Sequence, residues 1–229
     1  LVDPLSSGGM GALFSAEQLS TGKRRAVKVM HSGLLDSPAL RERFAREARI
    51  GSLVQSDHVV EVVSAGVDST TGAPWIAMEL LEGEDLSAHV ARNGPRPPAV
   101  ALELIRQLCH ALGAAHSAGV VHRDIKPENV FIVATKSVAG LSSVKVLDFG
   151  IAKIAAQMRT AHTGVPGTPL WMAPEQTDPS AEAGPAADVW AVGLLAFWIL
   201  TGRHFWRAAS IPSSSMHALM REILFDPIP

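Results

Sequence analysis

Tyrosine is absent from this chain of 229 residues, and cysteine occurs once, at Cys109. A single cysteine excludes a disulfide within the chain and any cysteine metal cluster, and it fits a reducing compartment. Charge is sparse as well: 18% of residues are charged and the net charge is -2. That balance gives no sign of a basic nucleic-acid face, and no run of like charges marks a tail. Long hydrophobic runs are also missing. The most apolar stretch, Val189 to Leu200, falls short of the roughly 20 residues a membrane-crossing helix needs, and it reads as a buried helix. What is present is 47% hydrophobic residues. In a chain of this length that supplies one large globular domain or two lobes with a substantial core.

The chain changes character near its first third. Up to Leu81 it reads mostly as strands: a glycine-rich turn at Ser7-Gly8-Gly9-Met10-Gly11, a compact run Ala26 to Met30, and two further runs, Val59 to Val63 and Trp75 to Leu80. Between them Ser37 and Pro38 punctuate the start of a helix that places Leu40, Phe44, Glu47 and Ala48 on one face. A glutamate on an apolar face requires a partner or a route to water. Glu82 to Asp85 reads as a polar connector, and the boundary between the halves falls at Leu81–Gly83. Helical spacing then dominates, from Ala99 to Ser117, from Ala186 to Leu200 and near Ser215 to Phe225. A long stretch rich in Thr, Gly and Pro, from Lys153 to Asp188, reads as an ordered functional loop.

Five groups of residues carry the chemistry, in fixed order. They are Ser6-Ser7-Gly8-Gly9-Met10-Gly11; Ala26-Val27-Lys28 with Glu47; His122-Arg123-Asp124-Ile125-Lys126-Pro127-Glu128-Asn129; Asp148-Phe149-Gly150; and Gly167-Thr168-Pro169 continuing to Ala173-Pro174-Glu175. Each is weak or moderate alone, whereas the ordered set is very specific. The chain resembles the catalytic domain of protein kinases, more narrowly the bacterial serine/threonine kinases related to the eukaryotic ones. The resemblance implies an α+β, bilobal fold: an N-lobe (1–81) with a small antiparallel sheet and one key helix, and a mainly helical C-lobe (82–229). It also implies further helices after Pro229 and the start of a strand before Leu1, so the domain is expected to be incomplete.

The resemblance assigns roles residue by residue. Backbone N–H groups at Ser6, Gly8, Gly9 and Gly11 would approach the phosphates of ATP, Ser6 standing where the family usually has glycine. Lys28 would hold the α- and β-phosphates and pair with Glu47, a contact made only when the helix swings in. Asp124 would accept the substrate hydroxyl proton. Lys126 would contact the γ-phosphate, and Thr168 would bridge Asp124 and Lys126. Asn129 and Asp148 would be ligands of Mg²⁺, with Mn²⁺ an admissible substitute. Leu13 and Ala26 would cover one face of adenine and Phe131 the other. Met78 would be the gatekeeper, and the backbones of Glu79 and Leu81 would meet the adenine edge. His122 would stack on Phe149, whose packing sets the active or inactive state. Asp188 would brace the catalytic loop from a helix. Glu175 would pair with an arginine late in the domain, although Arg203, Arg207 and Arg221 match that arginine poorly by position. Trp171 stands where the family usually has tyrosine.

The expected activity is transfer of the γ-phosphate of ATP to serine or threonine hydroxyls of proteins. Arg123 is expected to pair with a loop phosphate on Thr160 or, by preference, Thr163. With no tyrosine in the chain, such a phosphate must sit on Thr or Ser. Implied partners are protein substrates and a kinase–kinase dimer for trans-autophosphorylation, with no nucleic acid. The expected location is the cytoplasm, as a free domain or as the cytoplasmic part of a membrane-anchored receptor. The alternatives are a pseudokinase scaffold or inactive fragment of the same fold, and a small-molecule phosphotransferase. The first would be marked by loss of Lys28, Asp124, Asn129 or Asp148. The second would lack the Gly-Thr-Pro to Ala-Pro-Glu platform.

Overall fold

The computed structural model of the chain describes residues 1–8, 11–30, 44, 53–134, 143–149, 169–178, 180–211 and 215–226. Five antiparallel strands, β1 (Asp3–Gly8), β2 (Gly11–Gln18), β3 (Lys23–Met30), β4 (Val62–Val67) and β5 (Pro74–Glu79), form one sheet in the order β1-β2-β3-β5-β4. The glycine-rich segment is therefore the end of one strand and the beginning of the next. Gly11 has to be glycine: its φ is +149, and a Cβ there would lie 2.1 Å from the Val29 carbonyl oxygen. Leu13 faces Lys28, Lys28 faces Ile76, and Ala26 faces Met78 across the ladders. Because side chains alternate along a strand, these residues share one face of the sheet. Ala26, Met30, Ile76 and Met78 are buried there with Phe44 and Val60. Phe44 is helical and 1% exposed, while the rest of the helix expected after Ser37 lies outside the described residues.

The chain departs from the sequence expectation at two places. The run Val59 to Val63 is not a strand of the sheet as a unit, since β4 begins only at Val62. Val59 instead makes a parallel bridge to Val146, and the Val60 N–H donates to the Val146 carbonyl at 3.0 Å. The β-branched residues serve pairing in both places, but with different partners. The polar connector Glu82 to Asp85 contains a strand, β6 (Gly83–Asp85), which joins β7 (Val130–Val133) and β8 (Ser143–Val146) in a second antiparallel sheet. Gly83, at φ +146, lies so close to Ile132 that a Cβ would sit 2.1 Å from its carbonyl oxygen.

Among the described residues four α-helices follow the sheet strands β1–β5. Helix α1 (Leu86–Asn93) was not anticipated from the sequence. Asp85 caps it by accepting from the Ala88 N–H at 2.8 Å, and Leu86 and Val90 are buried. Helix α2 (Pro98–Ser117) starts on proline and buries Ala101, Leu104, Leu108, Ala111, Leu112 and Ala115 along one stripe. Helix α3 (Pro185–Thr201) packs against α2 and ends at Gly202 in the left-handed conformation. Helix α4 (Met216–Phe225) is capped by Ser215. The apolar stretch Val189 to Leu200 buries only one side: Leu195 and Ile199 are covered, whereas Val189, Phe197 and Leu200 are exposed. Among the described residues no helix is long and apolar enough to cross a membrane.

Aromatic rings organise the base of the helical half. Trp171 is buried edge-on against Trp198 at 5.8 Å and against His204 at 5.6 Å, and the Trp206 indole N–H donates to the Leu170 carbonyl at 3.0 Å. Burial lowers the His204 pKa from its ordinary 6.5, with Glu128 opposing. The folded state therefore takes up its proton at lower pH than the unfolded chain, and stability falls as pH drops below 6.5. Urea unfolding at pH 7.5 and pH 5.5 should show a smaller acid loss for His204→Gln than for the parent. Identical losses would remove His204 from the account.

Candidate active site

The segment His122 to Lys126 leaves α2 and runs into a 3-10 turn at Pro127–Asn129. It has no regular backbone pairing, so other groups must fix it. Asp188, 1% exposed in the first turn of α3, does most of this. Its Oδ2 accepts from the His122 N–H at 2.9 Å and its Oδ1 from the Arg123 N–H at 2.7 Å. His116 Nε2 lies 2.8 Å from the same Oδ2. Arg123 adopts φ 66, a left-handed conformation that costs about 1–3 kcal/mol in a residue other than glycine. Its carbonyl accepts from Gln176 Nε2 at 2.8 Å and its Nε donates to the Ala183 carbonyl at 2.7 Å. The strained residue is thus held through its backbone N–H, its carbonyl and its side chain.

The held loop presents Asp124. Lys126 Nζ donates to Asp124 Oδ2 at 2.8 Å, and Asn129 Nδ2 donates to the Asp124 carbonyl at 2.7 Å and to Oδ2 at 3.1 Å. With its amide nitrogen committed to donation, Asn129 has its carbonyl oxygen as the atom to offer a cation. His122 is buried and bonded at both ring nitrogens: Nδ1 lies 3.2 Å from the Asp124 N–H and Nε2 2.8 Å from the Leu147 carbonyl. An amide must donate and a carbonyl must accept, so the ring is neutral with its proton on Nε2. Leu147 is also tied at its N–H, which donates to the Asn129 carbonyl at 2.9 Å. These bonds connect the Asp124 loop to the residue immediately before Asp148. Phe149 packs edge-on against His122 with ring centroids 4.7 Å apart.

Asp148 is the second residue other than glycine in the left-handed region, at φ 61. Its Oδ2 accepts from Lys28 Nζ at 2.6 Å, both side chains being roughly four-fifths buried. The expected partner of Lys28, Glu47, lies outside the described residues, as do Gly9, Thr160, Thr163 and Thr168. Each carboxylate thus has its own lysine: Lys28 at Asp148 and Lys126 at Asp124. The expected adenine residues Leu13, Ala26 and Met78 lie on the Lys28 face of the sheet, and Phe131 lies on β7. Ser6 and Gly8 end β1. The Glu79 N–H is taken by the Glu61 carbonyl at 3.0 Å, while the Leu81 peptide has no backbone partner among the described residues. Among the described residues Glu175 makes no ion pair.

Residues 2–226 match the family described as protein kinase domain. The chain belongs to that family. This kinase domain is 44% identical over 205 residues to serine/threonine-protein kinase Pkn1 of Myxococcus xanthus, an alignment covering 89% of this chain and 29% of that protein. It is 36% identical over 234 residues to serine/threonine-protein kinase PknB of Mycobacterium leprae, covering 100% of this chain and 36% of the relative. The kinase domain spans less than half the length of these curated relatives. Among solved structures, the kinase domain of M. tuberculosis PknI superposes with a TM-score of 0.72 at 26% identity, covering 90% of this chain and 73% of that one.

Three residues at or beside the site escaped the sequence reading: His116, Gln176 and Lys145. Each reaches a partner far away in sequence, Asp188, Arg123 and Glu79 respectively. No local pattern marks them.

Proposed function

We propose that this kinase domain transfers the γ-phosphate of ATP to serine or threonine hydroxyls of proteins. The observation that carries the reading is the Asp124 carboxylate held by Lys126 and Asn129 in a loop that Asp188 anchors. Asp124 accepts the proton of the acceptor hydroxyl as its oxygen attacks the γ-phosphorus, and ADP leaves. Lys28 and Lys126 meet phosphate oxygens, which accept from the same ammonium groups that now bond Asp148 and Asp124. The names of the Myxococcus and Mycobacterium relatives support a serine or threonine acceptor, and so does Lys126 beside Asp124.

The donor set suits a hard divalent cation: one carboxylate at Asp148 and one amide oxygen at Asn129, with no cluster of three His, Cys, Asp or Glu among the described residues. Mg²⁺ binds in that manner, through one or two protein oxygens plus substrate phosphates. Such a cation, Mg²⁺ or Mn²⁺, supplies charge neutralisation at the β- and γ-phosphates.

In the same reading residues 1–81 form the N-lobe and 82–229 the C-lobe, with adenine between Leu13, Ala26 and Phe131 and beside Met78, Glu79 and Leu81. Arg123 would meet a phosphate on Thr163 or Thr160, and a second copy would deliver it. The domain would act in the cytoplasm, as a free domain or as the cytoplasmic part of a larger membrane-anchored chain. Incubation with γ-labelled ATP, Mg²⁺ and a generic protein acceptor should place label on serine and threonine. Label confined to tyrosine, or label on a small-molecule acceptor alone, would replace this reading.

A further inference from the structure

Strand β8 carries a lysine that the catalytic scheme does not use. Lys145 Nζ donates to Glu79 Oε1 at 2.5 Å and to the Val59 carbonyl at 3.2 Å. The same Glu79 oxygen accepts from the Glu61 N–H at 2.8 Å, and the Glu79 N–H returns a bond to the Glu61 carbonyl. The two side chains are only 18% and 23% exposed. A pair so enclosed is screened less than a surface ion pair and has few alternative partners. Around it, the Val146 N–H donates to the His58 carbonyl at 2.8 Å, so residues 58–61 are stitched to β8 on one side and to the end of β5 on the other.

Position makes this knot more than a brace. Glu79 ends β5 at the crossing from the five-stranded sheet to the second sheet, and its backbone is the proposed edge contact for adenine. Lys145 pairs directly across the ladder with Phe131, the proposed floor of the adenine slot, so their side chains stand on one face of β7 and β8. Three residues after Lys145 comes Asp148. The ion pair therefore fixes the edge of the slot relative to its floor, and both relative to Asp148.

We infer that Lys145, through Glu79, is a positioning residue for the nucleotide: it holds the Glu79 peptide at the height above Phe131 that adenine requires. This rests on the kinase reading above. Lys145 touches neither phosphate nor acceptor in this account, so its loss acts on ATP binding and leaves the chemical step alone.

The test is ATP affinity by titration, with KM for ATP and kcat measured on the same proteins. Lys145→Met keeps the side-chain length and removes the charge. It should bind ATP about tenfold more weakly, a coupling typical of residues sharing one network, and raise KM for ATP to match, with kcat within about twofold of the parent. Lys145→Arg should restore affinity. Glu79→Gln should weaken binding from the other side, and the double variant should bind no more weakly than Lys145→Met. Parent-like affinity in Lys145→Met, or a fall in kcat with affinity unchanged, overturns the inference while leaving the kinase reading intact. A parent that binds no ATP overturns both. Should Lys145→Met fail to fold, Glu79→Gln alone decides by the same criteria.

Discussion

Asp124→Asn should reduce phosphoryl transfer by about 10²–10⁴-fold, the range over which a positioned general base contributes. Asparagine has nearly the volume of aspartate and keeps an oxygen for Lys126 and Asn129, so the hydrogen bonds at 2.8 Å and 3.1 Å have an acceptor left. What disappears is the negative charge and the capacity to take a proton from the acceptor hydroxyl. The loss should fall on kcat, with the thermal shift produced by Mg-ATP equal to that of the parent. At a ligand concentration 100 times its dissociation constant, that shift reflects about 2.7 kcal/mol. Transfer that continues at the parental rate in Asp124→Asn would rule out Asp124 as the base.

The second large effect is expected at Asp188. Alanine there removes the acceptor for two backbone N–H groups, of His122 and Arg123, and for the His116 side chain. Each of the two backbone donors left without a partner costs about 1–3 kcal/mol, so these two together cost about 2–6 kcal/mol. For a domain of this size that lowers the melting temperature by roughly 5–20 °C. Arg123 also loses one of the contacts that hold it at positive φ. The loop should then relax toward ordinary backbone angles and carry Asp124 out of place. Asp188→Ala should accordingly lose activity even at temperatures where it is still folded. A variant with parental melting temperature and rate would show that Gln176 and Ala183 hold the loop unaided.

The residues of this site were legible in the sequence to different degrees, for physical reasons. Asp124, Lys126 and Asn129 must cooperate over one short loop, so chemistry imposes a contiguous pattern that can be read without a fold. Helices α2 and α3 were legible within a residue or two because long amphipathic or apolar stretches declare themselves by period. Strand β6 and helix α1 were not, because three residues, Gly83 to Asp85, are too few to show alternation. Asp85 looks like one more acid in a polar run until its capping bond to Ala88 is seen. The run from Val59 was read as a strand because valine favours pairing wherever it occurs; which partner it finds depends on the chain folding back to Val146. Lys145 and His116 were silent for the same reason. Their partners lie 66 and 72 residues away, and nothing local distinguishes a tethering lysine from a solvated one.

The tryptophans, finally, divide the molecule spectroscopically. Trp171, Trp190, Trp198 and Trp206 all belong to the aromatic base of the helical half, while Trp75 stands alone on β5. Emission from the native chain therefore reports mainly on one half. With Trp75→Phe it reports on that half alone, and the missing component is the signature of the sheet. Loosening of either half during heating or nucleotide binding can then be followed by its own light.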